Sequence, residues 1–246
     1  MANKIGVEFM HKTRYEYLGV SDQRKGVPPP PLEVPAGEEE TVIDLPAPDE
    51  VAAAELDLRR AIEERVSVRQ YAPESLSLDE LSYLLWATQG VKQVRDNYVT
   101  LRTVPSAGAR HAFETYLLVN HVDGLQPGLY RFLAIEHKLV QVNLEAGIAG
   151  QIAEACWKQR FVQTCAVTVI WVAVPYRMAW RYGQRGYRYL HLDAGHVCQN
   201  LYLAAQSVGC GVCAIAAFSD EEMSRLLGVD GETQFVIYLA TVGKKP

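Results

Sequence analysis

Arg65 and Arg69 flank Ser67 in the run Arg-Val-Ser-Val-Arg, where two guanidiniums and a hydroxyl are expected to project from one turn. The planar fork of arginine matches two phosphate oxygens at once, which makes the trio a candidate anion site. Spacing alone favours a plainer reading, because arginines at a helix end are stabilised by the helix dipole without any ligand. Cys210-Gly-Val-Cys213 has dithiol spacing. It leads into an apolar strand and does not open a helix that would lower a thiol pKa, so structural burial is the expectation. His191 and His196 fall on different faces of one helix, and no His-x-x-x-His or His-Glu-x-x-His pattern occurs, so no metal site is expected. There is no Gly-x-Gly-x-x-Gly after a strand and no Gly-Lys-Ser phosphate loop, which leaves two common nucleotide-binding routes unsupported.

These residues need elements to hold them, and the stretch from Tyr187 to Phe218 is the organiser. Leu190, Ala194, Val197, Leu201, Ala204 and Val208 recur at helical spacing, and Cys198, Tyr202 and Ala205 add a second stripe. The pattern predicts a helix apolar nearly all round, stopped by Gly209 and Gly211 and feeding a strand. Asp193, His196 and Asn200 form its polar line, better read as hydrogen-bonding groups than as a triad, since no serine or cysteine nucleophile accompanies them.

Upstream, the 1–50 segment carries Val27-Pro-Pro-Pro-Pro-Leu-Glu-Val-Pro35 and Glu38 to Glu40, and reads as an extended arm. The domain is expected at 51–246. A helix is predicted from Leu56, with Leu58, Ala61 and Ile62 on one face. Ser77 and Glu80 make a capping box for a helix over 77–89, stopped by Gly90. Leu101 to Arg110 reads as a loop. Strands are expected at Phe113–Asn120, Gly128–Phe132 and Lys138–Val142, the last two as a hairpin, followed by a helix through Ile148 and Ile152. Thr164–Val174, β-branched and without clean alternation, predicts a central strand covered on both faces. A second capping box at Ser219 and Glu222 opens a short helix ending at Gly228, and Gln234–Val242 closes the chain as a strand.

With 246 residues, 49% of them apolar, the chain can bury a large single core. A net charge of −5 and the lack of a basic block make nucleic acid and anionic membranes poor partners, and no apolar run reaches spanning length. The start Met-Ala-Asn-Lys is no signal peptide, and five cysteines, mostly in apolar segments, fit reduced thiols. A cytoplasmic protein is expected.

Arg65-Val-Ser-Val-Arg69, Val104-Pro-Ser-Ala-Gly108, Tyr187-Arg-Tyr-Leu and Asp193-Ala-Gly-His-Val-Cys-Gln-Asn-Leu, in that order, resemble the FMN-dependent nitroreductase family, specifically its SagB-type dehydrogenase branch. The resemblance runs from about Leu56 to Pro246. It implies an α+β fold, a central, mostly antiparallel sheet sandwiched by helices, in a homodimer with flavin sites at the subunit interface. Arg65, Ser67 and Arg69 match the element that grips the FMN phosphate and ribityl chain. Pro105, Ser106, Ala107 and Gly108 match a small-residue loop that approaches the flavin from the other subunit. Cys213 to Phe218 matches a segment facing the ring, with a backbone N–H of Ala216 or Ala217 near N5. Lys244 and Lys245 fall where the family places basic residues for the phosphate, although solvated tail lysines explain them equally.

The resemblance implies hydride chemistry on the cofactor, with NAD(P)H as co-substrate and a nitro or quinone compound as small electron-poor acceptor. In the SagB-type branch the reaction is instead oxidation of a thiazoline or oxazoline, using a Lys-Tyr pair. Here Arg181 and Tyr182 occupy those positions. Arginine stays charged and cannot serve as a base, which speaks against that mechanism, while Tyr182 is either an acid or one of many packing tyrosines. Trp157, Trp171, Trp180 and Tyr130 are candidate pocket walls, with core packing the better prior for each. A non-catalytic flavin-holding scaffold, docked through the Pro-rich arm, is the reading from another class.

Overall fold

A computed structural model describes residues 4–96 and 98–246. Strand β7 (Val167–Ala173) lies inside a seven-stranded sheet and is buried throughout. Val167, Val169 and Trp171 point into one core and Ile170 and Val172 into another, because successive side chains leave a strand on opposite faces. That two-sided burial is why the sequence shows no apolar–polar alternation. On one side β7 pairs with β4 (Phe113–Val119), then β5 (Gly128–Leu133), β6 (Lys138–Asn143) and β1 (Val42–Asp44). On the other it pairs with β9 (Phe235–Lys244) and then β8 (Cys210–Ile215). All six pairings are antiparallel; of two isolated parallel bridges among the described residues, Ser67 to Val212 lies beyond β8 and the other joins Leu76 to Val122.

Helices cover both faces. The larger core lies under α3 (Leu78–Gln89) and α7 (Gly186–Ser207), the smaller under α4 (Ile148–Ala155) and α8 (Asp220–Leu227). The α3 start is the expected capping box: Ser77 Oγ accepts the Glu80 N–H at 3.1 Å and Glu80 Oε2 accepts the Ser77 N–H at 2.9 Å. Gly90 ends it. At α8 only the Ser219 half of the box forms, and Gly228 caps in the left-handed conformation. α7 ends at Ser207 with Gly209 at φ +68°, as its sequence predicts. Gly211 has another task, for a Cβ there would fall 2.5 Å from Val68, so it admits the chain crossing β8. α7 is less enclosed than its pattern suggests, since Leu192 is 60% exposed.

Several elements depart from expectation. Leu101 and Arg102 are not loop but the end of β3 (Val99–Arg102), paired with β2 (Val91–Arg95), an outlying hairpin too polar to announce itself. Of the predicted face of α2 (Leu58–Glu64), only Ala61 is buried. A single helical turn, α5 (Phe161–Thr164), precedes β7, and α6 (Pro175–Tyr182) follows it with Pro at its first position. The arm contains a helix, α1 (Ile5–Lys12), and its β1 extends the sheet. It follows its own chain closely. Val27, Pro31, Val34 and Pro35 give their carbonyls to Trp180, Arg177 and Arg131, and the Val34 N–H donates to Glu114. None of the described helices is long and apolar enough to cross a membrane.

Candidate functional site

The candidate residues gather in two places along α7. The first is beyond β8. Residues 65–69 do not form the expected helical turn, because α2 ends at Glu64 and the chain becomes extended, with the Val68 N–H donating to Val212 O at 2.9 Å. Tyr202 of α7 braces this crossing. Its hydroxyl accepts the Ala214 N–H at 2.9 Å and lies 3.1 Å from Ser67 Oγ, and its ring underlies the Arg65 guanidinium at 5.3 Å. Neither Arg65 nor Arg69 has an acidic partner among the described residues, and Arg69 is exposed. Ala216 and Ala217 follow β8 in an exposed loop, and Ala217 O accepts from Gln159.

The two lysines behave differently. The Lys244 ammonium is bound by Glu80 and donates to Val208 O, with its side chain only 19% exposed. Lys245 is exposed and reaches Gln206 at 2.5 Å. Lys244 is therefore neither a solvated tail lysine nor a free cation, and among the described residues Arg65, Arg69 and Lys245 carry the charge without an acidic partner on this side.

The second place is the loop after β3. Ala107 to Ala109 form a 3-10 turn with Gly108 at φ +60°, a backbone state glycine enters at little cost. A Cβ on Gly108 would lie 2.5 Å from the Tyr182 hydroxyl and 3.0 Å from Arg181, so the loop and the end of α6 are in direct contact. Asp193 anchors the loop from α7, accepting the Ala107 N–H at 3.3 Å, and Ser106 Oγ accepts the His111 N–H at 2.9 Å. Burial raises the Asp193 carboxyl above its ordinary range, against hydrogen bonding from Ser106 and Ala107 that lowers it. Pro105 is exposed at the start of the same loop. Asp193 and Tyr202 stand nine residues apart on α7, a rise of about 13 Å. One chain thus holds the two groups at separate points.

Of the remaining polar line, Asn200 donates to Ala87 O of α3 within the same chain, and His196 is largely exposed. Trp171 and Tyr130 are core residues, Trp180 donates to the arm, and Trp157 is exposed at φ +55°. The five cysteines are free and buried, and burial pushes the Cys210 thiol up to about 12, as expected for structural thiols.

A profile of the nitroreductase family matches residues 62–244. The chain belongs to the nitroreductase family. Family membership makes it a flavin-dependent oxidoreductase, with nicotinamide and flavin the cofactors general to that family. It is 36% identical over 192 residues to a provisionally named nitroreductase of Methanocaldococcus jannaschii, covering 78% of this chain and 92% of that one. The structure is similar to that of a provisionally named nitroreductase from Anabaena variabilis, with a TM-score of 0.69, 27% identity and 87% of this chain covered. This chain spans only 45% of the Anabaena chain's length. A chain of the Escherichia coli microcin synthetase McbBCD complex shares the fold at a TM-score of 0.61 and 17% identity, covering 97% of this chain and 86% of that one.

Sequence reasoning missed two contributors to this candidate site. Tyr202 looks like one more apolar helix position, and its contacts with Ala214 and with Ser67, 135 residues away, give its hydroxyl a task. The arm is the other. Tyr15, Ser21, Gln23 and Arg24 line a cavity of about 490 Å³ with Arg181 and Tyr182. No local motif marks them.

Proposed function

We propose that two copies of this chain bind FMN between them and use it to carry a hydride from NADH or NADPH to a small electron-poor acceptor of the nitro or quinone type. The observation that carries the reading is the pair Arg65 and Arg69, held on the extended crossing beside Ser67 without acidic partners. Buried or paired arginines would not suit a dianionic phosphate, and these fit it. Ser67 offers a hydroxyl to the ribityl chain, and Ala216 or Ala217 offers a backbone N–H toward the ring. The turn at Gly108 carries only the small side chains of Ser106, Ala107 and Ala109 in its own loop and packs on Tyr182 and Arg181 on one side, which suits its other side to a flat ring of the other subunit.

The separation of the two groups along α7 supports a dimer, since each copy would supply one half of a site. Leu58, Ile62 and Leu192, exposed at 63%, 55% and 60%, give that dimer apolar surface to bury. When bound, FMN supplies a two-electron hydride relay, leaving the protein to position the reactants and exclude side reactions. The contact of Tyr182 with Gly108 supports a role for its hydroxyl in giving a proton to the reduced acceptor, and the neighbouring Arg181, a permanent cation, supports a role in holding negative charge on it.

A second reading is oxidation of a thiazoline or oxazoline, favoured by the similarity to the microcin synthetase chain over 97% of this one, arm included. Arg181 in place of a lysine counts against it, because arginine cannot act as the base. The scaffold reading loses support from the arm, whose backbone acceptors are occupied by its own chain. The discriminating experiment is anaerobic absorbance of the FMN-loaded protein. Bleaching by NADH or NADPH is expected; bleaching only by an azoline substrate selects the second reading, and a protein that cannot be loaded with FMN overturns both.

A further inference from the structure

We infer that the N-terminal arm and α6 together build a site for the anionic group of a carboxylate-bearing acceptor, held between Arg24 and Arg181. The inference rests on the flavin reading above and names the substrate class of that same site. The cavity of about 490 Å³ between the arm and α6 falls in the range of small-molecule sites. Its wall carries two guanidiniums, from Arg24 and Arg181, and two phenols, from Tyr15 and Tyr182, and no carboxylate. Neither arginine has an acidic partner among the described residues. The nearest acid in sequence, Asp22, is already taken by Lys25 at 2.9 Å and the Tyr176 hydroxyl at 3.1 Å.

The arm is fixed where it is needed. The Gln23 N–H donates to Trp180 O at 2.9 Å, Trp180 Nε1 donates to Val27 O at 2.8 Å, and the two bonds bracket Arg24. Further along, the Tyr15 hydroxyl lies 2.8 Å from that of Tyr189, the Arg185 guanidinium covers the Tyr15 ring at 4.2 Å, and Arg185 donates to Thr13 O at 3.1 Å. Behind the cavity Arg110 packs over Trp180, and its guanidinium is held below the usual range by burial and by the charges of Arg181 and Arg177. Arg177 is already paired with Glu114, which leaves Arg24, Arg110 and Arg181 as positive charge that an anion would offset.

The floor of the cavity, Arg181 and Tyr182, touches Gly108, the residue we set against the ring. The bound anion therefore belongs to the molecule that reacts there. The 2′-phosphate of NADPH sits at the far end of an extended dinucleotide and is a poorer fit to a cavity beside the reacting centre.

The test uses the full FMN-loaded chain. Turnover of 4-nitrobenzoate and of its neutral methyl ester with NADH gives a ratio of kcat/KM values, and calorimetric titration with benzoate and benzamide gives the same comparison without chemistry. The wild type is expected to favour the acid in both. Arg24→Gln and Arg181→Gln should each lower that preference by about tenfold, the worth of one charge-assisted hydrogen bond, while Arg181→Lys retains most of it. Equal handling of acid and ester, or a preference that survives both glutamine substitutions, would overturn the inference. So would an effect confined to NADPH against NADH, which would assign the anion to the donor. Failure to reduce either nitro compound while benzoate still binds through both arginines would sink the reductase reading and leave the anion site standing.

Discussion

Glu114→Gln removes one charge from the most deeply buried ion cluster among the described residues. Glu114 and Arg177 have side chains 2% exposed, with Oε1 2.5 Å from Arg177 Nη2, and Oε2 lies 3.8 Å from Arg131, itself 5% exposed. The same Oε1 accepts the Val34 N–H at 2.9 Å, and both arginines donate to arm carbonyls, so one carboxylate ties β4, β5, α6 and the arm. Glutamine keeps the shape but leaves the buried Arg177 guanidinium without its carboxylate, while Arg131 keeps only the partly exposed Glu40 at 3.7 Å. Breaking a buried pair in this way costs about 3–5 kcal/mol. At about 2–4 °C per kcal/mol for a chain of this size, the melting temperature should fall by about 6–20 °C. Circular dichroism would record the melt, and limited proteolysis would follow release of the arm. Glu222→Gln, which breaks the exposed pair with Arg225, is the control and should change stability by less than about 0.5 kcal/mol. A Glu114→Gln loss no larger than the control's would refute the assignment of the cluster as the lock on the arm.

Gly108→Ala combines a left-handed backbone, costing about 1–2 kcal/mol for a side chain, with a methyl 2.5 Å from the Tyr182 hydroxyl. A folded protein with turnover reduced at least tenfold is expected, by steady-state kinetics alongside a melt. Stability should also fall in mild acid through His111. Burial and the charge of Arg102 push that imidazole down to about 3, below its unfolded value of about 6.5. A depressed folded value means that the unfolded chain binds the extra proton. Stability is thus complete above about pH 6.5 and declines toward pH 3, by at most about 1.4 kcal/mol per unit. Urea midpoints across that range should show a slope that His111→Gln reduces, and an unchanged slope would remove His111 from the account.

The parts of the fold visible in sequence are those where local chemistry and burial agree. Ser77 with Glu80 fixes the start of α3, Gly209 the end of α7, and the β-branched run from Val167 a strand covered on both sides. The β2–β3 hairpin was hidden because Lys92, Gln93 and Arg95 are exposed and show no apolar period. The proline-rich composition of the arm masked α1, and the aromatic and arginine content of 175–182 masked α6. The site divides in the same way. Arg65, Ser67, Arg69 and the 105–108 loop carry recognisable motifs. Tyr202, Asp193 as an anchor, and Arg24 do not, since each acts across contacts far apart in the chain. The commitment of Lys244 to Glu80 could not be read either, because Glu80 already has a local explanation as a capping residue.

Flavin retention tests the central claim most directly. Wild type and Arg69→Ala, both loaded with FMN and dialysed to equilibrium, would be compared by visible absorbance beside their melting curves. Arg69 is exposed and packs against no core, so the substitution should leave folding unchanged while weakening FMN by about ten- to a hundredfold, the loss of a charge-assisted phosphate contact. Equal retention by the two proteins would contradict the assignment of the phosphate to the crossing beyond β8.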